Sequence, residues 1–163
     1  MGYDSTAATQ AHIMRVGELI SFVVSELLKR SSAHDKSKLE EPEKGIFDVF
    51  TPKLRDVTYG SEGYKAFMAE MRVAIEHHHL SNRHHPEFFN GPEWGGNRGI
   101  EAMNLVDLVE MICDWVAASE RHADGDPIRS VEVNKERFGY SADLASILAN
   151  TVRAIKAGDS SKV

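Results

Sequence analysis

Between Leu105 and Val116 the chain is apolar on nearly every side that a helix can present: Leu105, Val106, Leu108, Val109, Met111, Ile112, Trp115 and Val116. A helix apolar all round is normally central and buried, so other helices must pack around this one. Three acids interrupt it. Asp107, Glu110 and Asp114 fall at i, i+3 and i+7, on one face. An uncompensated carboxylate in a packed interior costs several kcal/mol, on the order of the buried-ion penalty. Asn104 followed by Asp107 resembles a capping pair, which opens a helix over 105–122 and gives Asp107 a cap role. Glu110 is open between an ion pair with lysine or arginine and a metal. Asp114, mid-helix between Cys113 and Trp115, has no cap to make and is read as a metal ligand.

The remaining segments are also helical in period. Residues 7–31 repeat Ile13, Val16, Ile20, Val23, Val24, Leu27 and Leu28, with Thr6 or Thr9 to cap the start and Lys29 and Arg30 suited to the C-terminal end of the dipole. A short helix over 34–41 ends at Pro42. Residues 43–60 look irregular, with Gly45, Pro52 and Gly60, and a brief helix at 46–50. Tyr64, Phe67, Met68, Met71 and Ile75 line one face of a helix over 62–80. Residues 81–99, rich in glycine and proline, read as a loop beside a site. Helices over 127–137 and 142–156, the second capped by Ser141, complete the chain. No alternating strand pattern competes. The expectation is an all-α bundle of about five to seven helices forming one domain over 1–163. Its core would span about 10–122, and the C-terminal helices 127–156 are candidates for a homodimer contact.

The 163 residues carry a formal charge of −6. That argues against general nucleic-acid affinity, which needs a basic surface, but leaves room for a small phosphorylated substrate. No apolar stretch approaches the roughly 20 residues of a membrane span, and the first residues lack the basic and apolar regions of a signal peptide. Cytoplasmic placement and no membrane partner are expected. The single cysteine, Cys113, reads as a buried, inert thiol.

Five of the eight histidines, His77, His78, His79, His84 and His85, fall within nine residues. A further dyad, His34-Asp35, lies upstream in Ala33-His34-Asp35-Lys36-Ser37-Lys38. Imidazoles and carboxylates are ligands for Mn, Fe, Co, Ni or Zn. Adjacent histidines on a helix point about 100° apart, so His77, His78 and His79 cannot all face one ion, and at least two of the five should bind none. Asp35 also suits the N-cap of its short helix. His12, taken alone, reads as a solvated or core histidine.

The order His12, His34-Asp35 and Asp114, on three helices, resembles the HD-domain superfamily of metal-dependent phosphohydrolases. Ile112-Cys113-Asp114-Trp115-Val116-Ala117-Ala118 looks like that superfamily's late helix. More closely, His34-Asp35-Lys36-Ser37-Lys38, His78 with Asn82-Arg83-His84-His85-Pro86-Glu87, and Glu110 to Trp115 are similar to a family of small bacterial and phage proteins seen as a divergent branch of that group. The resemblance implies one divalent transition-metal ion on His12, His34, Asp35 and Asp114, with His78 and His84 or His85 available to a second. It implies water-driven hydrolysis of a nucleotide or another small phosphomonoester. Lys36, Lys38, Arg15 and His85 would hold phosphate, Glu40 or Glu41 (with Lys38) would serve catalysis, and Glu87 would orient a histidine. Two other classes share the pattern: a di-iron oxygenase, and a non-catalytic module that binds a nucleotide or a partner. Phe88, Phe89 and Trp94 would form an exposed patch, stack on a base, or close the core.

Overall fold

The computed structural model describes residues 3–54, 57, 61–121 and 125–159, and the protein is all-α, with seven α-helices and four 3₁₀ turns among the described residues. It falls into two compact units, one up to His34 and one from Asp35 onward. No helix among the described residues is long and apolar enough to cross a membrane.

The first unit is α1, Thr6–Ala33. Its start is capped neither by Thr6 nor by Thr9: the Asp4 carboxylate accepts from the Thr6 N–H at 2.9 Å, a role its short, oxygen-tipped side chain suits. The Thr6 hydroxyl first, and then this N–H, lower the Asp4 pKa. The helix stops where His34 turns to φ −48°, ψ 127°, with its N–H donating to the Arg30 carbonyl.

The second unit opens on Asp35 and a 3₁₀ turn, Lys36–Leu39, in place of the helix expected over 34–41. Asp35 has φ 56°, a left-handed conformation that Asp and Asn tolerate better than other side chains and that no helix can run through. The segment read as irregular is then mostly α2, Glu43–Leu54; residues 55, 56 and 58–60 lie outside the described residues. Pro52 falls in the last turn of α2, where it forfeits one helical bond but leaves little helix to kink. Glu43, Ile46, Phe47 and Phe50 share its inner face at i, i+3, i+4 and i+7.

The helix expected over 62–80 is two helices. Ser61 caps α3, Glu62–Glu70, by accepting from the Tyr64 N–H at 3.2 Å. Met71, at ψ 0°, interrupts the spiral, and α4 runs Arg72–Ser81. Met71, Ala74 and His78 are buried along the inner face of this segment. Three short turns, Pro86–Phe89, Pro92–Trp94 and Gly99–Ala102, lead to α5, Leu105–Ser119. Residue 122, where α5 was expected to end, lies outside the described residues. The capping box is present: Asn104 Oδ1 accepts from the Asp107 N–H at 3.0 Å, and Asp107 Oδ2 accepts from the Asn104 N–H at 3.0 Å.

The last two helices are α6, Pro127–Phe138, capped by Asp126, and α7, Ala142–Gly158, capped by Ser141. They enclose the core with α5: Ile100, Met111, Ile112, Val116, Val131, Tyr140, Leu148 and Val152 are buried against one another. α5 is not apolar-buried all round. Leu105 is 76% exposed, and Cys113 is exposed, contrary to expectation. Partial burial, then the charges of Glu110 and Asp114, push the pKa of its thiol up.

Candidate metal centre

Three stretches of the second unit converge. Asp35 leads its 3₁₀ turn, with Lys38 Nζ held on Asp35 Oδ2 at 2.5 Å and lying 5.6 Å from the centre of the Phe47 ring. The end of α4 and the turn after it supply His77, His78, His79, His84 and His85. α5 supplies Glu110. The turn is pinned to α5 by Arg83, whose Nε and Nη2 donate to Asp107 Oδ1 and Oδ2 at 3.0 and 2.9 Å. Its guanidinium also lies 5.4, 5.0 and 5.6 Å from the ring centres of Phe88, Phe89 and Trp94. Those aromatics therefore close the core around Arg83; Phe89 is fully buried and the other two partly so.

The centre is where two imidazoles meet one carboxylate oxygen. His78 Nε2 lies 3.2 Å and His84 Nε2 3.5 Å from Asp35 Oδ1. Behind each ring stands a second carboxylate, with Glu43 Oε2 2.9 Å from His78 Nδ1 and Glu110 Oε1 3.2 Å from His84 Nδ1. A neutral imidazole carries one N–H and one lone pair. With the Nδ1 N–H of His78 given to Glu43, its Nε2 would turn a lone pair toward Asp35, and the same tautomer of His84 would do likewise. A cation held between these atoms would compensate the carboxylate and both lone pairs. Two donors each about 2.1 Å from one ion stand about 3.0 Å apart at a right angle and about 3.4 Å apart at the tetrahedral angle. The 3.2 Å spacing falls in that range and the 3.5 Å spacing lies just above it. Asp35, His78, His84 and His85 each offer a ligand atom, all within 4.8 Å of one another.

His85 stacks beside these rings, its centre 4.1 Å from His84 and 4.7 Å from His78. Its Nε2 is buried and makes no hydrogen bond among the described residues. Burial first, then the neighbouring histidines, holds its pKa far below the usual imidazole range. Burial likewise lowers His79, against the pull of Glu87. Both rings are thus neutral near pH 7, the form that binds a metal. Glu87 lies 3.9 Å from His79 Nδ1 and accepts from Arg137 Nη2 on α6 at 2.6 Å. With His79 and His85 it makes a second close grouping of ligand atoms. His77 faces outward, with its Nδ1 on Glu43 Oε1 at 2.7 Å.

Of the residues expected at a site, the second unit brings Asp35, His78, His84 and His85 together. Asp114 is nearby on α5, with a carboxylate oxygen within 4.8 Å of one of Asp35. Glu110 Oε1 stands 3.2 Å from His84 Nδ1. Lys38 is engaged by Asp35, and Lys36 is exposed. Glu40 and Glu41 are exposed, and neither joins a close grouping of metal-ligand atoms among the described residues. Within the first unit, His12 is exposed on α1, Arg15 pairs with Glu18 at 2.8 Å, and His34 ends the helix. Sequence reasoning missed Glu43, which is fully buried. It also missed the polar group around it: the Asn82 amide donates to Ser37 Oγ and to the His78 carbonyl, both at 2.8 Å. The one signal for Glu43 was its place at the head of the apolar stripe Ile46, Phe47, Phe50.

The chain belongs to the DUF5662 family, a family of unknown function whose model matches residues 1–155. No curated protein and no solved structure matches it.

Proposed function

We propose that this family member binds a divalent transition-metal ion through Asp35, His78, His84 and His85, and uses it in the cytoplasm to hydrolyse a small phosphorylated substrate, a nucleotide foremost. The observation that carries the metal reading is the convergence of His78 Nε2 and His84 Nε2 on Asp35 Oδ1, with the opposite ring nitrogens tied to Glu43 and Glu110. The hydrolytic reading rests on the resemblance of the His-Asp dyad and the Asp114 helix to HD-domain phosphohydrolases.

A bound divalent ion would supply Lewis acidity, activating a water near neutral pH and drawing charge from a phosphoryl oxygen. The chain's own residues do the rest. Lys38 holds Asp35 by Oδ2 and so keeps Oδ1 turned to the histidines. Arg83 fixes the turn that carries His84 and His85 against α5. Lys36, exposed at the start of the 3₁₀ turn, would meet substrate phosphate as a point charge. Asp114, close to Asp35 on α5, would complete the ligand set.

The test is elemental analysis of protein purified without a histidine tag, paired with a phosphate-release screen across nucleotides with added Mn, Co or Mg. Stoichiometric metal with release from one nucleotide class is the expected result. Two irons per chain, oxygen uptake and no release would replace hydrolysis by oxygenase chemistry. Absence of metal at saturating concentrations would refute the site.

A further inference from the structure

Resting on the metal reading above, we infer that Glu43 is the positioning residue of the centre: it fixes the ring orientation and tautomer of His78, and its second oxygen ties the same carboxylate to His77 at the surface. Glu43 is fully buried at the head of α2, on the stripe that continues into Ile46, Phe47 and Phe50. A carboxylate placed there without partners would cost several kcal/mol, on the order of the penalty for a desolvated ion. Both its oxygens are instead used on one short stretch of α4. Oε2 accepts from His78 Nδ1 at 2.9 Å and Oε1 from His77 Nδ1 at 2.7 Å.

Neighbouring helical side chains diverge by about 100°, so one carboxylate serves both only by sitting in the angle between them. That position leaves His78 a single ring orientation, with Nε2 directed at Asp35 Oδ1. The Phe47 ring closes the remaining side edge-on, its centre 6.4 Å from that of His78. Ser37 Oγ, at 3.2 Å, and the Asn82 amide nitrogen, at 3.0 Å, also stand near Nδ1, but Glu43 Oε2 is nearer, at 2.9 Å, and as a charged acceptor it is the stronger claimant on the Nδ1 proton. An outer carboxylate of this kind typically contributes 10–100-fold to metal affinity.

Three measurements test this. Two-dimensional NMR of ¹⁵N-labelled wild-type protein without metal should show His78 as the Nδ1–H tautomer; the Nε2–H tautomer would overturn the proposal without need of any variant. Competition of Co(II) against a chromophoric chelator should show Glu43→Gln weakened about 10–100-fold, with a shifted Co(II) visible spectrum and unchanged helical circular dichroism. His77→Ala, which leaves Oε2 on His78, should stay within about threefold of wild type by the same reasoning. Glu43→Gln with wild-type affinity and spectrum would overturn the role of Glu43 alone. A wild-type chain that binds no Co(II) would overturn the metal reading and this one with it.

Discussion

Arg83→Ala should be the most damaging single truncation outside the hydrophobic core, and its cost can be built from the contacts. Asp107 is 1% exposed, and Arg83 meets both its oxygens in a forked pair; the Arg83 side chain itself is 33% exposed. Removing one partner of a buried pair costs about 3–5 kcal/mol. The exposure of Arg83 and the surviving Asn104 N–H on Asp107 Oδ2 reduce that to about 2–3 kcal/mol. Lost stacking against Phe88, Phe89 and Trp94 adds about 1 kcal/mol. The total, about 3–4 kcal/mol, corresponds to a fall in Tm of about 10 °C in a chain of this length. Arg83→Lys keeps the charge but not the fork and should lose roughly half as much. Urea denaturation with chelator present, so that metal loss does not enter the transition, gives the difference in midpoint at constant slope. A loss below about 1 kcal/mol, within the range of an exposed ion pair, would refute the reasoning and mean that Asp107 is held by its cap alone.

Other outcomes follow from single contacts. Asp35→Asn keeps a side chain at home in the left-handed conformation while removing the ligand charge, so metal should be lost with helical circular dichroism intact; Asp114→Asn should behave alike, and full metal occupancy in either would break the ligand set. Gly139, at φ +68° beyond α6 with open space around it, should cost about 1–2 kcal/mol when changed to alanine, a pure backbone effect readable by denaturant midpoint. Tyr140→Phe removes a buried bond of 2.6 Å to the Val131 carbonyl and should cost about 1 kcal/mol. Burial pushes the Tyr140 pKa up to about 12. The unfolded chain releases this proton at lower pH than the folded one, so wild-type stability should fall as pH rises from the ordinary tyrosine range toward 12; denaturation series at alkaline pH should show Tyr140→Phe lacking that part of the fall.

Legibility in the sequence followed how local each determinant was. The α5 capping box, the Ser141 cap and the helical class depend on residues within one turn, and each was readable. α2 was not, because Gly45 and Pro52 look like breakers until one knows that Pro52 sits in a last turn. The break at Met71 was invisible for a different reason: the apolar period of 62–80 continues through it, and the inward-facing residues keep that period on both sides. At the site, Asp35, His78, His84 and His85 stood out by residue type. Their carboxylate supports did not, since Glu43 in Glu40-Glu41-Pro42-Glu43 looks like solvated charge and the partner of Glu110 lies 26 positions upstream at His84. The aromatic cluster left three readings open, and the contacts of Arg83 select core closure.

α5 is a party wall. Met111, Ile112 and Val116 face the packed interior shared with α6 and α7, while Asp107 and Glu110 hold the turn and the ring of the histidine cluster. Substitutions at Met111, Ile112 or Val116 should register in a melting curve, those at Glu110 in metal binding, and those at Asp107 in the melting curve again, because its pair with Arg83 holds the turn. Such a helix lets Glu110 vary with the site's chemistry, while Asp107 on the same side stays tied to the fold.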